Sequence, residues 1–118
     1  MVKHIVSWSG GKDSSAMLIR MVEEGMPIDD IVFIYVMATP TLGGEFPEMY
    51  EYIHRMERYI DRKITIVQSV LDFDTVFHQT YKTGKWAGKI YGFPLTCGAW
   101  CNSRLKIRTI QKHYKTYG

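Results

Sequence analysis

Six consecutive residues, Ser9-Gly10-Gly11-Lys12-Asp13-Ser14, constrain this chain more than any other stretch. A short apolar run, Ile5-Val6-Ser7-Trp8, precedes them, and a helical pattern, Ala16-Met17-Leu18-Ile19-Arg20-Met21-Val22, follows. Strand, tight glycine turn and helix start together make an anion site. Adjacent glycines allow positive φ and leave no Cβ between backbone and ligand. Successive N–H groups then form a concave nest at a helix N-terminus. Ser9 and Ser14 add hydroxyls, Lys12 adds a charge that reaches a phosphate, and Asp13 or Ser14 is the expected N-cap. The plain alternative is an ordinary β-to-α turn, which does not need a lysine between glycines and cap. A Walker A loop would need glycine at the position of Val6, and a dinucleotide fingerprint needs G-x-G-x-x-G, which is absent.

The order of the remaining elements gives the fold class. His4 to Trp8 reads as a buried strand and Asp13 to about Glu24 as a helix, with Ala16, Met17, Leu18, Ile19 and Val22 as its apolar stripe. Gly25 and Pro27 stop it. The continuous apolar run Ile31-Val32-Phe33-Ile34-Tyr35-Val36-Met37 reads as an interior parallel strand. A loop from Ala38 to Gly44 follows at its carboxyl end, the edge where open α/β sheets bind ligands. Pro47 opens a second helix, in which Phe46, Met49, Tyr50, Ile53, Met56 and Ile60 follow helical spacing. Ile64 to Val67 is a third strand, and Asp72 to Tyr81 a short helix. Lys82 to Gly98 reads as a loop. Trp100 to Tyr114 reads as a basic helix with Leu105, Ile107 and Ile110 apolar. The β-α-β-α-β order predicts a single α/β domain over residues 1–118, with right-handed crossovers and an open parallel sheet in three α/β/α layers.

Charge divides the chain unevenly. Of 118 residues, all 12 acids lie in 1–74, whereas 75–118 hold eight lysines and arginines and no acid. A one-sign segment of this size faces an anionic partner, whether nucleotide phosphates, a second anionic substrate or nucleic acid; the alternatives are a solvated surface or pairing with the acidic half. Trp86, Tyr91 and Phe93 lie among Lys82, Lys85 and Lys89, a pattern that either stacks a base and holds its phosphate or forms a lid. Two cysteines are too few for a disulfide scaffold, and no apolar run of about 18 residues occurs, so a cytoplasmic protein with no membrane partner is expected. Cys97 and Cys101 allow a zinc site completed by His78 and His113, a redox pair, or two inert thiols.

The six-residue loop resembles the PP-loop, S-G-G-x-D-S, of the ATP pyrophosphatase superfamily. Thr41-Leu42-Gly43-Gly44-Glu45-Phe46-Pro47-Glu48 is similar to the D-T-G-x-x-F-P-E segment of that superfamily's phosphoadenosine phosphosulfate (PAPS) reductase branch. Trp100-Cys101-Asn102-Ser103-Arg104-Leu105-Lys106 resembles the branch's C-x-x-R-x-K-like segment near the substrate. The resemblance implies the fold of the adenine nucleotide alpha hydrolases, here shortened to about three core strands. It implies ATP or PAPS as substrate, with α–β phosphate cleavage or sulfonucleotide reduction as the chemistry.

Carried onto this chain, it makes Ser7, Trp8, Ser9, Gly10, Gly11, Lys12, Asp13, Ser14, Thr39, Gly43 and Glu45 the candidate nucleotide-binding residues. Lys12, Arg104 and Lys106 become the candidate catalytic cations. Mg²⁺ is a companion of the phosphates, with Asp13 a weak ligand. The chain departs from the pattern in three ways. Thr41 stands where the branch has an acid. The thiolates for an iron–sulfur cluster are lacking, so none is expected. The C-terminal tail cysteine that reduces sulfonucleotides has no counterpart. An open sheet edge further predicts association into a homo-oligomer, and a non-catalytic nucleotide or nucleic-acid binding half-domain is the alternative function.

Overall fold

The computed structural model describes residues 2–94 and 100–117. Three strands, β1 (Ile5–Ser7), β2 (Asp30–Met37) and β3 (Thr65–Asp72), form one sheet in the order β1-β2-β3. β1 runs parallel to β2, with Ile5 opposite Asp30 and Ser7 opposite Val32. Two side chains mark the β2–β3 pairing: the Thr65 hydroxyl donates to Asp30 (2.8 Å), and the Ser69 hydroxyl accepts from the Met37 N–H (3.0 Å). Both partners advance together along the chain, as parallel strands require. The parallel α/β architecture is therefore the one the element order predicts. Ile31, Val32, Phe33 and Ile34 are all buried, so both faces of the central strand are covered.

The chain divides into two compact units, residues 1–34 with 45–67 and residues 35–44 with 68–118. In the first, α1 (Lys12–Glu23) buries Ser15 and Leu18, while α2 (Pro47–Ile60) buries Ile53, Met56 and Ile60. Pro47 occupies the first turn of α2, where its missing N–H costs nothing. The apolar stripes are narrower than spacing alone indicates: Ala16, Met17, Phe46 and Tyr50 are exposed. Glu57 ties the end of α2 to the next strand by accepting from the Ile64 N–H (2.8 Å).

In the second unit, Val76, Trp100 and Leu105 form the buried centre, with Val36, Leu71, Phe73, Phe77, Tyr91 and Cys101 packed around it. α3 (Phe73–Phe77) is capped by Asp72, which accepts from both the N–H (2.8 Å) and the hydroxyl (2.6 Å) of Thr75. The expected C-terminal helix is present, but its first part, Cys101–Ile107, is wound as a wide π-type helix before α4 (Arg108–Tyr114) and a closing 3₁₀ turn, Lys115–Tyr117. Leu105 is buried; Ile107, expected beside it, is exposed. β3 is longer than the expected Ile64–Val67. Its continuation carries polar Gln68 and Ser69, which hid the strand period, and Ile66, Gln68 and Val70 all point to solvent. Among the described residues no helix is long and apolar enough to cross a membrane.

Two polar interactions add to the packing of the second unit. The buried Thr109 hydroxyl accepts from the Val70 N–H (2.8 Å) and donates to the Leu105 carbonyl (2.7 Å). Thr109→Val orphans that N–H and should cost about 1–3 kcal/mol. Thr109→Ser should recover most of it, read as urea midpoints at unchanged m-value. Burial by itself would raise the Asp72 pKa, but the two Thr75 hydrogen bonds outweigh it and hold the carboxyl below its ordinary 3.8. A lowered carboxyl contributes its stability fully above the unfolded value and loses it as pH falls through the folded one. The Asp72 contribution should thus be constant above pH 3.8 and fade below it. An Asp72→Asn protein should show a shallower acid decline in denaturant titrations at stepped pH.

Candidate functional site

The glycine loop has the conformation its composition calls for. Gly10 lies at φ +83°, in the left-handed region, and turns the chain out of β1. Gly11, extended at φ −78° and ψ 168°, is the N-cap of α1. The cap is therefore not Asp13 or Ser14, as the sequence indicates; the helix begins at Lys12, so both lie inside its first turn. The Ser14 hydroxyl instead ties the loop together. It accepts from the Ser9 N–H (3.3 Å), meets the Ser9 hydroxyl (2.9 Å) and donates to the Gly11 carbonyl (3.3 Å). The Ser9 hydroxyl also accepts from the Gly11 N–H (3.3 Å). The first-turn N–H groups of a helix have no intrahelical acceptors and carry the positive end of its dipole. Here that end is at the surface: the Lys12 side chain is 94% exposed and lies 3.6 Å from Asp13, a solvated pair that holds neither side chain in place.

Trp8 plays a different part. Its side chain is 1% exposed and points into the core, so its contribution to the loop is structural. The indole N–H donates to the Ser15 hydroxyl (2.9 Å), which meets the Tyr52 hydroxyl (3.0 Å), and the Trp8 and Tyr52 rings stack at 5.6 Å. Ser7 is exposed at the end of β1.

Beside the loop, in the same unit, Glu45, Phe46, Glu48, Met49 and Tyr52 line a mostly apolar pocket of about 210 Å³. Met49 joins pocket to loop: a Cβ on Gly10 would lie 3.2 Å from its sulfur. Helical spacing alone puts Phe46, Met49 and Tyr50 in the core, and Tyr52 is not part of that stripe. Phe46 is 80% exposed, and the signal available was its position just before Pro47, outside the helix proper. Among the described residues no group of three His, Cys, Asp or Glu converges to hold a metal ion.

The other candidate residues lie in the second unit. Thr39 forms the turn after β2: its hydroxyl accepts from the N–H groups of Thr41 (3.3 Å) and Leu42 (3.0 Å). Gly43 bridges back to Met37 and packs so closely on Tyr35 that a Cβ would overlap the phenol ring. The exposed Thr41 takes no carboxylate role, having no carboxylate. Arg104 is half-buried, donating to the Tyr91 hydroxyl (3.1 Å) with its guanidinium 5.6 Å from the ring centre. Lys106 is exposed. Cys101 is a free, half-buried thiol beside the aromatic core, and Cys97, with any pairing of the two, lies outside the described residues.

Gly10 offers a direct check of the loop geometry. Gly10→Ala forces an L side chain into positive φ and against Met49, and should cost about 1–2 kcal/mol. A Gly10→Ala, Met49→Ala protein, relieved of the crowding alone, should remain destabilised in thermal unfolding.

The chain is 24% identical to the nin region protein ORF290 of Escherichia phage lambda over 127 aligned positions, covering 93% of this chain and 42% of that protein. The chain thus spans less than half the length of that relative. No solved structure matches it. The model of the phosphoadenosine phosphosulfate reductase domain matches residues 3–118, nearly the whole chain and both of its units. With the strand–glycine loop–helix corner in place at Ser9–Ser14, the chain belongs to the phosphoadenosine phosphosulfate reductase domain family.

Proposed function

We propose that the chain binds the phosphate or phosphosulfate end of an adenine nucleotide on the Ser9–Ser14 loop and that a bond to that end is broken there. The supporting observation is the exposed first turn of α1, entered through Gly10 at φ +83° and Gly11 at the cap, with Lys12 unrestrained above it. Backbone N–H groups, two serine hydroxyls and one mobile ammonium match a multiply charged oxyanion. The apolar pocket lined by Phe46, Met49 and Tyr52 adds a surface of the right character for the rest of the nucleotide.

Two reactions fit this reading. With ATP, a nucleophile attacks the α-phosphorus, the bond to the bridging oxygen breaks, and pyrophosphate leaves with the electron pair. Fixed N–H donors and Lys12 stabilise the charge that builds on the departing group. With PAPS, a dithiol supplies two electrons: one sulfur attacks the sulfonyl sulfur, adenosine 3′,5′-bisphosphate leaves, and the second thiol releases sulfite as the disulfide forms. Family membership favours the second, and the loop serves either. Arg104 and Lys106 are proposed as further cations on the strength of the sequence resemblance alone. A Mg²⁺ ion would be held chiefly by the nucleotide's own phosphates, since Asp13 is the single carboxylate within the loop.

Calorimetric titration with ATP, AMP, PAPS and adenosine 3′,5′-bisphosphate tests the site. Lys12→Ala should weaken the best of these by at least about tenfold, the scale of one charge-assisted contact. Unchanged affinity would remove the loop from the binding site. Pyrophosphate released from ATP, or sulfite released from PAPS with a dithiol present, then selects the reaction.

A further inference from the structure

The second unit carries a surface that the phosphate loop does not use. Residues 79–91 form a loop whose ends are joined by the Tyr91 N–H to the Gln79 carbonyl (2.7 Å). Inside it, Tyr81 and Lys89 are joined by another backbone bond (3.0 Å), and Gly88 donates to the Tyr81 carbonyl (2.8 Å). The Trp100 indole N–H pins the base of the loop by donating to the Gly92 carbonyl (3.0 Å). The loop is therefore held by its own backbone and, through the half-buried Tyr91, by the core, rather than by its other large side chains. Those side chains face out: Trp86 is 57% exposed, and Tyr81, Ile90 and Phe93 are exposed with it. Lys82, Lys85 and Lys89 alternate with them, and Lys85 lies 5.0 Å from the Trp86 ring.

A cleft of about 720 Å³ opens beside this loop, with Tyr81, Lys82, Tyr91 and Arg104 in its lining. Tyr81 and Tyr91 lie 4.6 Å apart, and the Arg104 guanidinium covers the Tyr91 ring. The two rings are tilted by 33° and, with the guanidinium, form a cluster that ends at the exposed Tyr81. Arg104 gives one of its five N–H donors to the Tyr91 hydroxyl. Asp74, paired with His78 at the edge of the lining, is the carboxylate nearest in sequence, and no acid follows it in the chain.

We propose that this loop and cleft bind single-stranded nucleic acid. Exposed aromatic faces stack on unpaired bases, and regularly placed lysines follow the phosphates between them. A mononucleotide would fill the cleft alone and leave Trp86, Lys85 and Lys89 without a role. An acidic peptide would answer the charges but not the three outward rings. A duplex presents its phosphates but keeps its bases stacked on one another, so the rings gain nothing from it. The proposal uses residues distinct from the Ser9–Ser14 loop and stands whether or not that loop binds a nucleotide.

Fluorescence anisotropy with a labelled oligothymidylate of about 12 nucleotides, a length within the usual site size, tests it. The whole chain should bind it at low salt. Affinity should fall between about 50 and 200 mM salt, at about −0.7 in log–log slope for each phosphate contacted. Trp86→Ala and Tyr81→Ala should each weaken binding by roughly five- to a hundredfold, the worth of one base–aromatic stack. Tyr81→Phe should retain it, and circular dichroism should show every variant folded. Lys12→Ala should leave the oligonucleotide affinity unchanged. Absence of binding at low salt, equal affinity for a duplex of the same length, full displacement by equimolar mononucleotide, or indifference to both aromatic variants would each overturn the proposal. A chain that binds the oligonucleotide but no adenine nucleotide defeats only the reading of the glycine loop; the reverse pattern defeats only this one.

Discussion

One buried hydrogen bond underlies the geometry of the glycine loop. Trp8 is the last residue before the loop and Ser15 the first after it, and the indole N–H of one donates to the hydroxyl of the other. Six small or polar residues, four of them exposed, are thereby closed into a fixed turn from beneath. Stacking on Tyr52 and contact with Phe33 hold the indole in place, so α2 and the central strand both bear on a loop that belongs to neither. An indole N–H left unpaired in that position would carry a desolvation penalty, which ties the loop's shape to the packing of the core. A loop shaped before its ligand arrives spends less ordering entropy on binding.

The second unit repeats the device with a different tryptophan. Trp100 packs against Phe73 at 4.9 Å and uses its N–H to hold the Gly92 carbonyl. The aromatic and basic loop is thus fastened at its base much as the glycine loop is. In both places a large buried side chain uses its one polar atom to anchor neighbouring backbone. The family match covers both units, and each contributes a different chemical surface: oxyanion donors in one, rings and cations in the other.

The strand–glycine–helix corner was legible because its requirements are local. Positive φ at Gly10, a short apolar run and a helical period each show in a few neighbouring letters. Pro47 announced α2 for the same reason. What the letters did not show depended on distant partners. Trp8 reads as part of the loop until Ser15 and Tyr52 are seen to capture its side chain. Ser69 and Gln68 interrupt the pattern of β3, and only the Met37 N–H explains why a serine is buried there. The wide winding of Cys101–Ile107 has no marker in composition. Met17 and Phe46 fit a helical stripe by count, yet both are exposed, and Phe46 precedes the first residue of α2. The cap is Gly11 rather than Asp13 or Ser14 because the helix already begins at Lys12, which places both of them inside its first turn.

The bond from Val70 to Thr109 has a further consequence. The Val70 N–H is not taken by β2 but points away from it, along the border of the sheet, and the threonine hydroxyl fills the place that a neighbouring carbonyl would occupy. At that point the border is covered by a side chain from a helix, so a strand added alongside β3 could not take the Val70 N–H into its ladder without displacing Thr109.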